Sequence, residues 1–423
     1  MDTASPRSTR RSDAVLIAGL LAFPSLYLLE KYLGKLAILP YLAFVVALVA
    51  LWRSRWPAIA TQAMGERRAR WVGLGTLVVV TILLLVVVHP LANSGAIGPG
   101  SDSDEALIQA TTALLHGHFP YSQPTYLGNP ITPMPGSLIL AAPFVLLGLG
   151  RCWSLAWLVA GIFLLRRCWS FDTARTIVFC GIVLVACPAI PHMLAIGDDY
   201  PANSLMVLVF VVLLQSSSAR ANAHGAPIAW ATLLGVSLSS RANFLFLLPL
   251  TASRLIQLRG PRIAWTLTAV TAAAAVAVTL PFWLHDPAHF SPLHTVNKLD
   301  SLEGVLPHAR FLILTGAGGL ALVLSRPRWN TNLADFLRNA AAVEAALVLA
   351  RTVLWWLGGY EPRFGATTAG QFFLYFGLGW LALRARSVPH GRANARYSNI
   401  APSTACRIEF GNTPLSFVSE PRQ

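Results

Sequence analysis

Acidic side chains cluster at the start of one polar connection of this 423-residue chain, in the segment Ser101-Asp-Ser-Asp-Glu-Ala106. An amphipathic stretch from Asp104 to His116 follows, with apolar residues at helical spacing. A helix of this kind can lie on the membrane surface, with the acids at its start at the boundary between water and lipid. One carboxylate there could accept a proton from a hydroxyl group while its neighbours stay hydrated. Helix capping is an equally open interpretation, with Asp102 at the N-cap and Glu105 three positions later.

A second acidic pair, Asp198-Asp199, lies beside Tyr200 at the start of an apolar run. Two adjacent carboxylates can bind a metal ion or the hydroxyl groups of a sugar. Capping of the following helix is the competing interpretation. Further histidines and acids occur in the segment from His285 to His308, but their irregular spacing matches no metal-binding motif.

Two charged residues interrupt the apolar run from Phe336 to Leu357. Glu344 and Arg351 are seven residues apart and therefore lie on one helix face. A charge at the bilayer centre costs about 2.5–3.5 kcal/mol on insertion scales, so both should face the bundle interior or a wet cavity. Binding of an anion by Arg351 and a polar clamp between helices are equally open. Arg241 is predicted at the tip of a tight hairpin of short helices.

Long apolar runs must position these residues. The chain is 55% hydrophobic and 12% charged, with a mean hydropathy of +0.58, whereas soluble domains carry about 25% charged residues. Runs of about 20 residues, long enough to cross about 30 Å of hydrocarbon, recur along the sequence, and alternating strand patterns are absent. The composition therefore predicts an all-α, polytopic membrane helical bundle.

Arginines in the short loops predict the orientation of this bundle. The net charge of +14 follows the positive-inside pattern, so no nucleic-acid partner is expected. Basic loops near residues 53–70, 166–175, 220, 254–262, 326–338 and 384–386 are placed in the cytoplasm. Counting crossings predicts about twelve transmembrane helices in residues 1–383, both termini cytoplasmic, and a disordered polar tail at 384–423.

The opposite face collects most acids and histidines, in loops near 93–135, 192–201, 285–308 and 358–363. The apolar segment from Pro135 to Gly150 is short, and a full crossing there would reverse the side of every later arginine loop. We therefore expect a half-helix at the outer interface. Polar residues gathered at one face favour an enzyme, since a transporter is expected to show related halves and interrupted helices.

The first outer loop, residues 93–135, continues with Gly117-His-Phe-Pro-Tyr121, a proline-rich run and a short apolar segment that ends at Gly148. Over about 50 residues this pattern resembles the GT-C superfamily of membrane glycosyltransferases, including polyprenyl-phosphate-dependent mannosyltransferases and lipid A aminoarabinose transferases. The segment Asp104-Glu-Ala106 matches the acidic element that opens an interfacial helix (residues 104–116) in that family. Met134-Pro-Gly-Ser-Leu138 replaces the usual Pro-Pro-Leu, which leaves the subfamily open.

A second resemblance lies ahead of the last apolar run, in Gly358-Gly-Tyr-Glu-Pro-Arg-Phe364. It is similar to the Glu/Tyr–Arg element of an outer loop in the same family. The resemblance implies that Arg363 lies near a lipid phosphate, whose oxygens suit the fork of a guanidinium. An interfacial arginine that reaches lipid headgroups is the alternative. Tyr360 belongs to the same element.

The resemblance implies inverting transfer of a hexose or pentose from a polyprenyl-phosphate donor on the periplasmic face of the cell inner membrane. The acceptor would be a lipid, a glycan or a protein. Asp104 would act as the base, with Glu105 beside it as a second catalytic residue. The residues expected to bind substrate are Asp102, Asp198, Asp199, Arg241, Arg351, Tyr360 and Arg363.

Neither the cofactor nor a single class of function follows from these residues alone. Some members of the family need a divalent cation and others do not, so the cofactor is not fixed by the resemblance. The alternative function is a polytopic transporter or lipid flippase in which Glu344 and Arg351 line the pathway.

Overall fold

The structure is a computed structural model that describes residues 6–61, 66–93, 101–169, 173–220, 225–359 and 364–386. Within these ranges the chain forms helices and no strand. The all-α prediction for a membrane protein is confirmed for this part of the chain. Tyr360, Arg363 and the tail from residue 387 onward lie outside the described residues.

Eighteen α-helices are present in the described ranges. The first nine are α1 (Pro6–Ala22), α2 (Leu26–Leu33), α3 (Ile38–Thr61), α4 (Glu66–Ile82), α5 (His89–Asn93), α6 (Ser103–Leu115), α7 (Pro135–Leu146), α8 (Trp153–Trp169) and α9 (Thr173–Ala186). The others are α10 (Ala189–Ala195), α11 (Asp199–Ser218), α12 (Ala226–Leu238), α13 (Leu248–Arg259), α14 (Pro261–His285), α15 (His294–Asn297), α16 (Ala309–Leu324), α17 (Leu333–Leu357) and α18 (Gln371–Arg386). A π-helical segment, Leu83–Val88, joins α4 to α5.

Five helical stretches among the described residues are long and apolar enough to cross a membrane: Ala14–Leu33, Lys35–Trp52, Asp199–Ser218, Pro261–His285 and Leu333–Leu357. A sixth results if α9 and α10, which meet at 87°, form one broken span. Four further apolar helices, α7, α12, α16 and the stretch Gly150–Leu164, have only 10–17 residues. The predicted number of about twelve crossings is therefore not confirmed.

Helix α11 lies at the centre of the bundle. It is 94% buried over its apolar window and packs against α8, α12, α13 and α18. A helix that is apolar on all sides is expected to be surrounded by other helices. Because α11 begins at Asp199, the N-terminal end of this central helix carries the second acidic pair of the sequence.

Helix α7 runs along the same end of the bundle. Near its start, the Ser137 hydroxyl donates to Asn203 of α11 at 3.0 Å. Beyond its end, Arg151 Nε lies 3.6 Å from Asp104 Oδ2 at the start of α6. Both ends of α7 are therefore tied to elements around the start of α11. The helix ends at Leu146, earlier than the predicted Gly150.

Close packing of α7 on α12 depends on Gly136. A Cβ atom at this position would lie 2.0 Å from the backbone oxygen of Val236 and 2.2 Å from the Ser239 hydroxyl. A side chain here would force the two helices apart. This approach brings the start of α7 beside the turn between α12 and α13, where Met134 N–H donates to the Ser240 carbonyl at 3.3 Å.

Candidate functional site

Two cavities of different chemistry meet at the start of α11. A polar cavity of about 250 Å³ is lined by acidic, basic and amide side chains, namely Asp102, Asn129, Asp198, Asp199, Arg241, His294 and Lys298, together with smaller groups. An apolar cavity of about 290 Å³ is lined mainly by aliphatic and aromatic side chains, with Asn243, Glu344 and Arg351 as polar exceptions. Three residues, Thr132, Tyr200 and Arg241, line both cavities and form the wall between them.

Arg241 is the charged centre of this wall. It is 4% exposed, and its Nη2 donates to Asp199 Oδ1 at 2.5 Å while Nη1 donates to the Thr132 carbonyl at 3.2 Å. Its guanidinium carbon lies 4.7 Å from the centre of the Tyr200 ring, a cation–π distance. The Nε atom has no hydrogen-bond partner among the described residues. The Nε–H group of Arg241 is therefore a buried donor that a ligand could use.

Asp199 is held in place from two sides. Asn203, one helical turn further along α11, donates to Asp199 Oδ2 at 2.8 Å, and the other carboxylate oxygen accepts from Arg241. Asn203 is in turn fixed by the Ser137 hydroxyl. A buried polar chain in which each member is bonded keeps its geometry rigid. The chain Ser137–Asn203–Asp199–Arg241 thus connects α7, α11 and the turn after α12.

Asp198 differs from its neighbour. It is the N-cap of α11 and accepts from the Tyr200 backbone N–H at 2.8 Å, so the capping interpretation is confirmed for this residue. It also lines the polar cavity. Burial and the adjacent negative charge of Asp199 raise the pKa of the Asp198 carboxyl to about 7. A carboxyl with such a pKa can exchange a proton near neutral pH.

Asp104 lies at the start of α6, as predicted, but its carboxylate does not line the polar cavity. It is 6% exposed and has Oδ2 3.6 Å from both His89 Nε2 and Arg151 Nε. Its Cβ packs against Gly197, where an added Cβ atom would lie only 2.5 Å away. Burial raises the pKa of Asp104, and His89 and Arg151 act against that shift.

His89 was not singled out from the sequence. It is 4% exposed, and its Nδ1 lies 2.6 Å from the carbonyl oxygen of Ala195. Since a carbonyl only accepts, Nδ1 carries the proton and Nε2 faces Asp104. The only available signal was a histidine beside Pro90 at the end of an apolar run, which by itself does not indicate a contact with a residue 15 positions away.

Asp102 and Glu105 do not form the predicted capping box. Asp102 occupies the N-cap position of α6, but its side chain makes no capping hydrogen bond. Its carboxylate instead accepts from Thr125 Oγ1 and, at 2.9 Å, from Asn129 Nδ2. One Glu105 oxygen is buried without a hydrogen-bond partner among the described residues. Asp102 therefore connects α6 to the following loop at the edge of the polar cavity.

Glu344 and Arg351 both line the apolar cavity, as their spacing on one helix face predicted. Glu344 is fully buried, and its Oε2 accepts from Asn243 Nδ2 at 2.6 Å. This contact clamps α17 to the 3₁₀ segment Ala242–Leu247, which follows Arg241. Glu344 Oε1 has no hydrogen-bond partner in the described part of the chain.

Lys298 and His294 come from the segment His285 to His308, in which the sequence showed no metal-binding motif. Both line the polar cavity, one turn apart around α15. Partial burial lowers the pKa of the Lys298 amine, and the charges of Arg351 and Arg241 lower it further. Lys298 on the polar side and Arg351 on the apolar side thus flank a wall that itself contains Arg241.

Within the described ranges, no three His, Cys, Asp or Glu side chains lie close enough together to hold a metal ion. The polar cavity presents both carboxylates and cations. No protein-family model, curated protein or solved structure matches this chain.

Proposed function

We propose that this protein is a membrane glycosyltransferase that moves a sugar from a polyprenyl-phosphate donor to an acceptor. The observation that carries the proposal is the meeting of a polar and an apolar cavity at the buried Arg241. A lipid-linked sugar has the same three parts in the same order, namely an apolar chain, a phosphate and a polar sugar. The sugar fits the polar cavity, and the first units of the chain fit the apolar one.

The phosphate of the donor would bind at the wall, between Arg241 and Arg351. When the sugar leaves, the phosphate changes from a diester with one negative charge to a monoester with up to two. Fixed cations stabilise the more highly charged leaving group more strongly than the donor, which is the form of electrostatic help that lowers a barrier. Arg363, predicted to join them, lies outside the described residues.

We assign the role of base to Asp198 and not to Asp104, the residue expected from the sequence. Asp198 lines the polar cavity, and its raised pKa suits a proton acceptor near neutral pH. The acceptor hydroxyl would attack the anomeric carbon while the bond from that carbon to the phosphate oxygen breaks. The hydroxyl proton passes to Asp198, and the electron pair stays on the phosphate. Attack opposite the leaving phosphate inverts the anomeric centre.

Asp104 would then position the site. Its packing against Gly197 supports the turn that carries Asp198, and its contacts with His89 and Arg151 hold α6 on that turn. Asp102 and Asn129, which line the polar cavity, would contact hydroxyl groups of the sugar or of the acceptor.

The proposal includes an orientation. The arginine-rich loops would lie in the cytoplasm, with both termini and about twelve crossings, and the two cavities would open on the periplasmic side of the inner membrane. The support is the charge pattern of the loops and the resemblance of the first outer loop to the GT-C superfamily. The α6–α7 region, which carries that resemblance, borders the polar cavity.

One observation favours transport as a second candidate function. Glu344 is a fully buried acid with one unpartnered oxygen, and it lines a cavity within the bundle. Ionisable residues at such depth often mark the pathway of a transported ion or substrate. A transporter would move its ligand intact and would break no bond between sugar and phosphate.

Transfer of label from a polyprenyl-phosphate sugar tests the proposal. Membranes that contain the wild type, the Asp198→Asn variant or the Asp300→Asn variant would be supplied with each of several labelled donors. Asp300 is an exposed acid that lines neither cavity and serves as the matched control. We expect label in an acceptor with the wild type and the control, and its loss with Asp198→Asn. Label that crosses the membrane still attached to the lipid would favour transport.

A further inference from the structure

The two cations at the wall that have no ion pair within the described part of the chain outnumber the single negative charge of a phosphodiester donor. Arg241 is balanced by Asp199 at 2.5 Å. Arg351 and Lys298 form no ion pair with any described residue. A phosphodiester donor carries one negative charge, and Arg351 on the apolar side of the wall can compensate it. Lys298, on the polar side, is then left without an anion.

Lys298 is an exposed residue whose position at the polar cavity makes its ammonium available to a ligand there. It lines the polar cavity together with His294, four residues earlier, and is close enough to Arg351 and Arg241 for their charges to affect its titration. Cations held close together repel one another unless an anion lies between them. The unpartnered Nε of Arg241, on a side chain only 4% exposed, adds a donor at the wall.

Composition sets Lys298 apart as well. Only three of the 32 basic residues of the chain are lysines, namely Lys31, Lys35 and Lys298. All three side chains are exposed. Lys31 and Lys35 lie near the start of the sequence, whereas Lys298 lines the polar cavity. An ammonium is a compact charge with three donors that can follow the oxygens of a phosphate or carboxylate as a ligand settles in the cavity.

We propose that the ligand of the polar cavity carries a second anionic group, bound by Lys298 on the side of the wall away from the lipid chain. This inference rests on the proposed function and narrows its substrate class. Two sources supply the same chemistry: a second phosphate, if the sugar is linked through a diphosphate, or a carboxylate on the sugar itself.

Binding measurements on the full-length protein in nanodiscs test this without an activity assay. The probes are geranyl phosphoglucose, with one anionic group, geranyl diphosphoglucose, with a second phosphate, and geranyl phosphoglucuronate, with a carboxylate on the sugar. The variants are wild type, Lys298→Gln and the exposed control Lys35→Gln. Calorimetry gives a Kd for each combination of probe and protein. The doubly anionic probe that binds more tightly shows whether the second anionic group is a phosphate or a carboxylate.

We expect the wild type and Lys35→Gln to bind one doubly anionic probe about tenfold or more tightly than geranyl phosphoglucose. Lys298→Gln should reduce that preference to about twofold or less while changing the Kd of geranyl phosphoglucose by less than about twofold. If the wild type binds all three probes equally, or if the preference survives in Lys298→Gln, the proposed second anionic group is contradicted. The proposed function is not affected by either result. Failure of the wild type to bind any of the probes contradicts the proposed function as well.

Discussion

Arg241 and Asp199 form a buried ion pair, with Nη2 2.5 Å from Oδ1, although 42 residues separate them in the sequence. The pair joins the turn after α12 to the first residue of the central helix α11. It therefore fixes the position of the wall between the polar and the apolar cavity. The contact with Thr132 adds the loop that precedes α7 to the same junction.

Removal of Asp199 should destabilise the protein strongly. The change Asp199→Asn leaves the Arg241 guanidinium buried without its counterion, which costs about 3–5 kcal/mol. The control is Asp300→Asn, which removes an exposed pair with Arg310 at 3.3 Å and should cost about 1 kcal/mol or less. Urea titrations in one detergent give both free energies of unfolding. Equal losses in the two variants would mean that the buried pair does not hold the wall.

The rate of sugar transfer should depend on the ionisation of Asp198. Because the pKa of this carboxyl is raised to about 7, the basic form becomes populated as the pH rises through 7. The rate should rise over that range and then level off. Asp198→Asn should lower it by about 10²–10⁴-fold, the usual contribution of a general base. A rate that is flat from pH 5 to 8 would exclude Asp198 as the base.

The raised pKa of Asp198 also makes the stability of the protein depend on pH. A carboxyl whose pKa is raised by folding favours the folded state most when it is protonated, at low pH. That contribution is lost as the pH rises from the ordinary carboxyl pKa of 3.8 to the raised pKa of about 7. The free energy of unfolding of the wild type should therefore fall between these two pH values relative to Asp198→Asn, which has no proton to lose, and level off above them. Parallel pH profiles for the two proteins would contradict this prediction.

Gly197 should tolerate no side chain. Its φ is +69°, and an added Cβ atom would lie 2.5 Å from the Cβ of Asp104. Gly117 has a similar φ of +74° with open space around it, so Gly117→Ala isolates the backbone cost of about 1–2 kcal/mol. Gly197→Ala should lose about 1–3 kcal/mol more, the usual cost of overpacking. Urea titrations under the same conditions give the free energy of unfolding of both variants. Equal losses would mean that Asp104 moves aside freely.

The proposed orientation predicts which residues an impermeant maleimide can reach. On a background without the five native cysteines, Gly304→Cys should be labelled in intact spheroplasts. Gly225→Cys should be labelled only after lysis. Both positions are exposed, so the difference reports the side of the membrane. Labelling of Gly225→Cys in intact cells, without labelling of Gly304→Cys, would reverse the orientation.

Local structure around the site could be predicted from the sequence because it depends on short-range patterns. Helix α6 was expected at 104–116 and runs over Ser103–Leu115. The hairpin around Arg241 was expected as two short helices, and α12 and α13 flank the residue. The spacing of Glu344 and Arg351 placed both on the face that lines the apolar cavity.

Contacts between distant segments could not be predicted in the same way. The expected hairpin tip at Arg241 is buried because its guanidinium turns toward Asp199, and nothing in either local sequence specifies that partner. Which of the acidic side chains face the polar cavity depends on packing between distant segments. Asp104 faces His89 and Gly197, whereas Asp102 and Asp198 line the cavity.

The most direct test of the proposed donor site at Arg241 is cryo-electron microscopy of the full-length protein in nanodiscs with a donor analogue. The analogue carries a non-cleavable phosphonate between the prenyl chain and the sugar. We expect phosphorus density within about 4 Å of the Arg241 guanidinium, the sugar in the polar cavity beside Asp198, and the chain in the apolar cavity past Arg351. Analogue density that lies outside both cavities, or that leaves Arg241 without a contact, would contradict the proposed donor site.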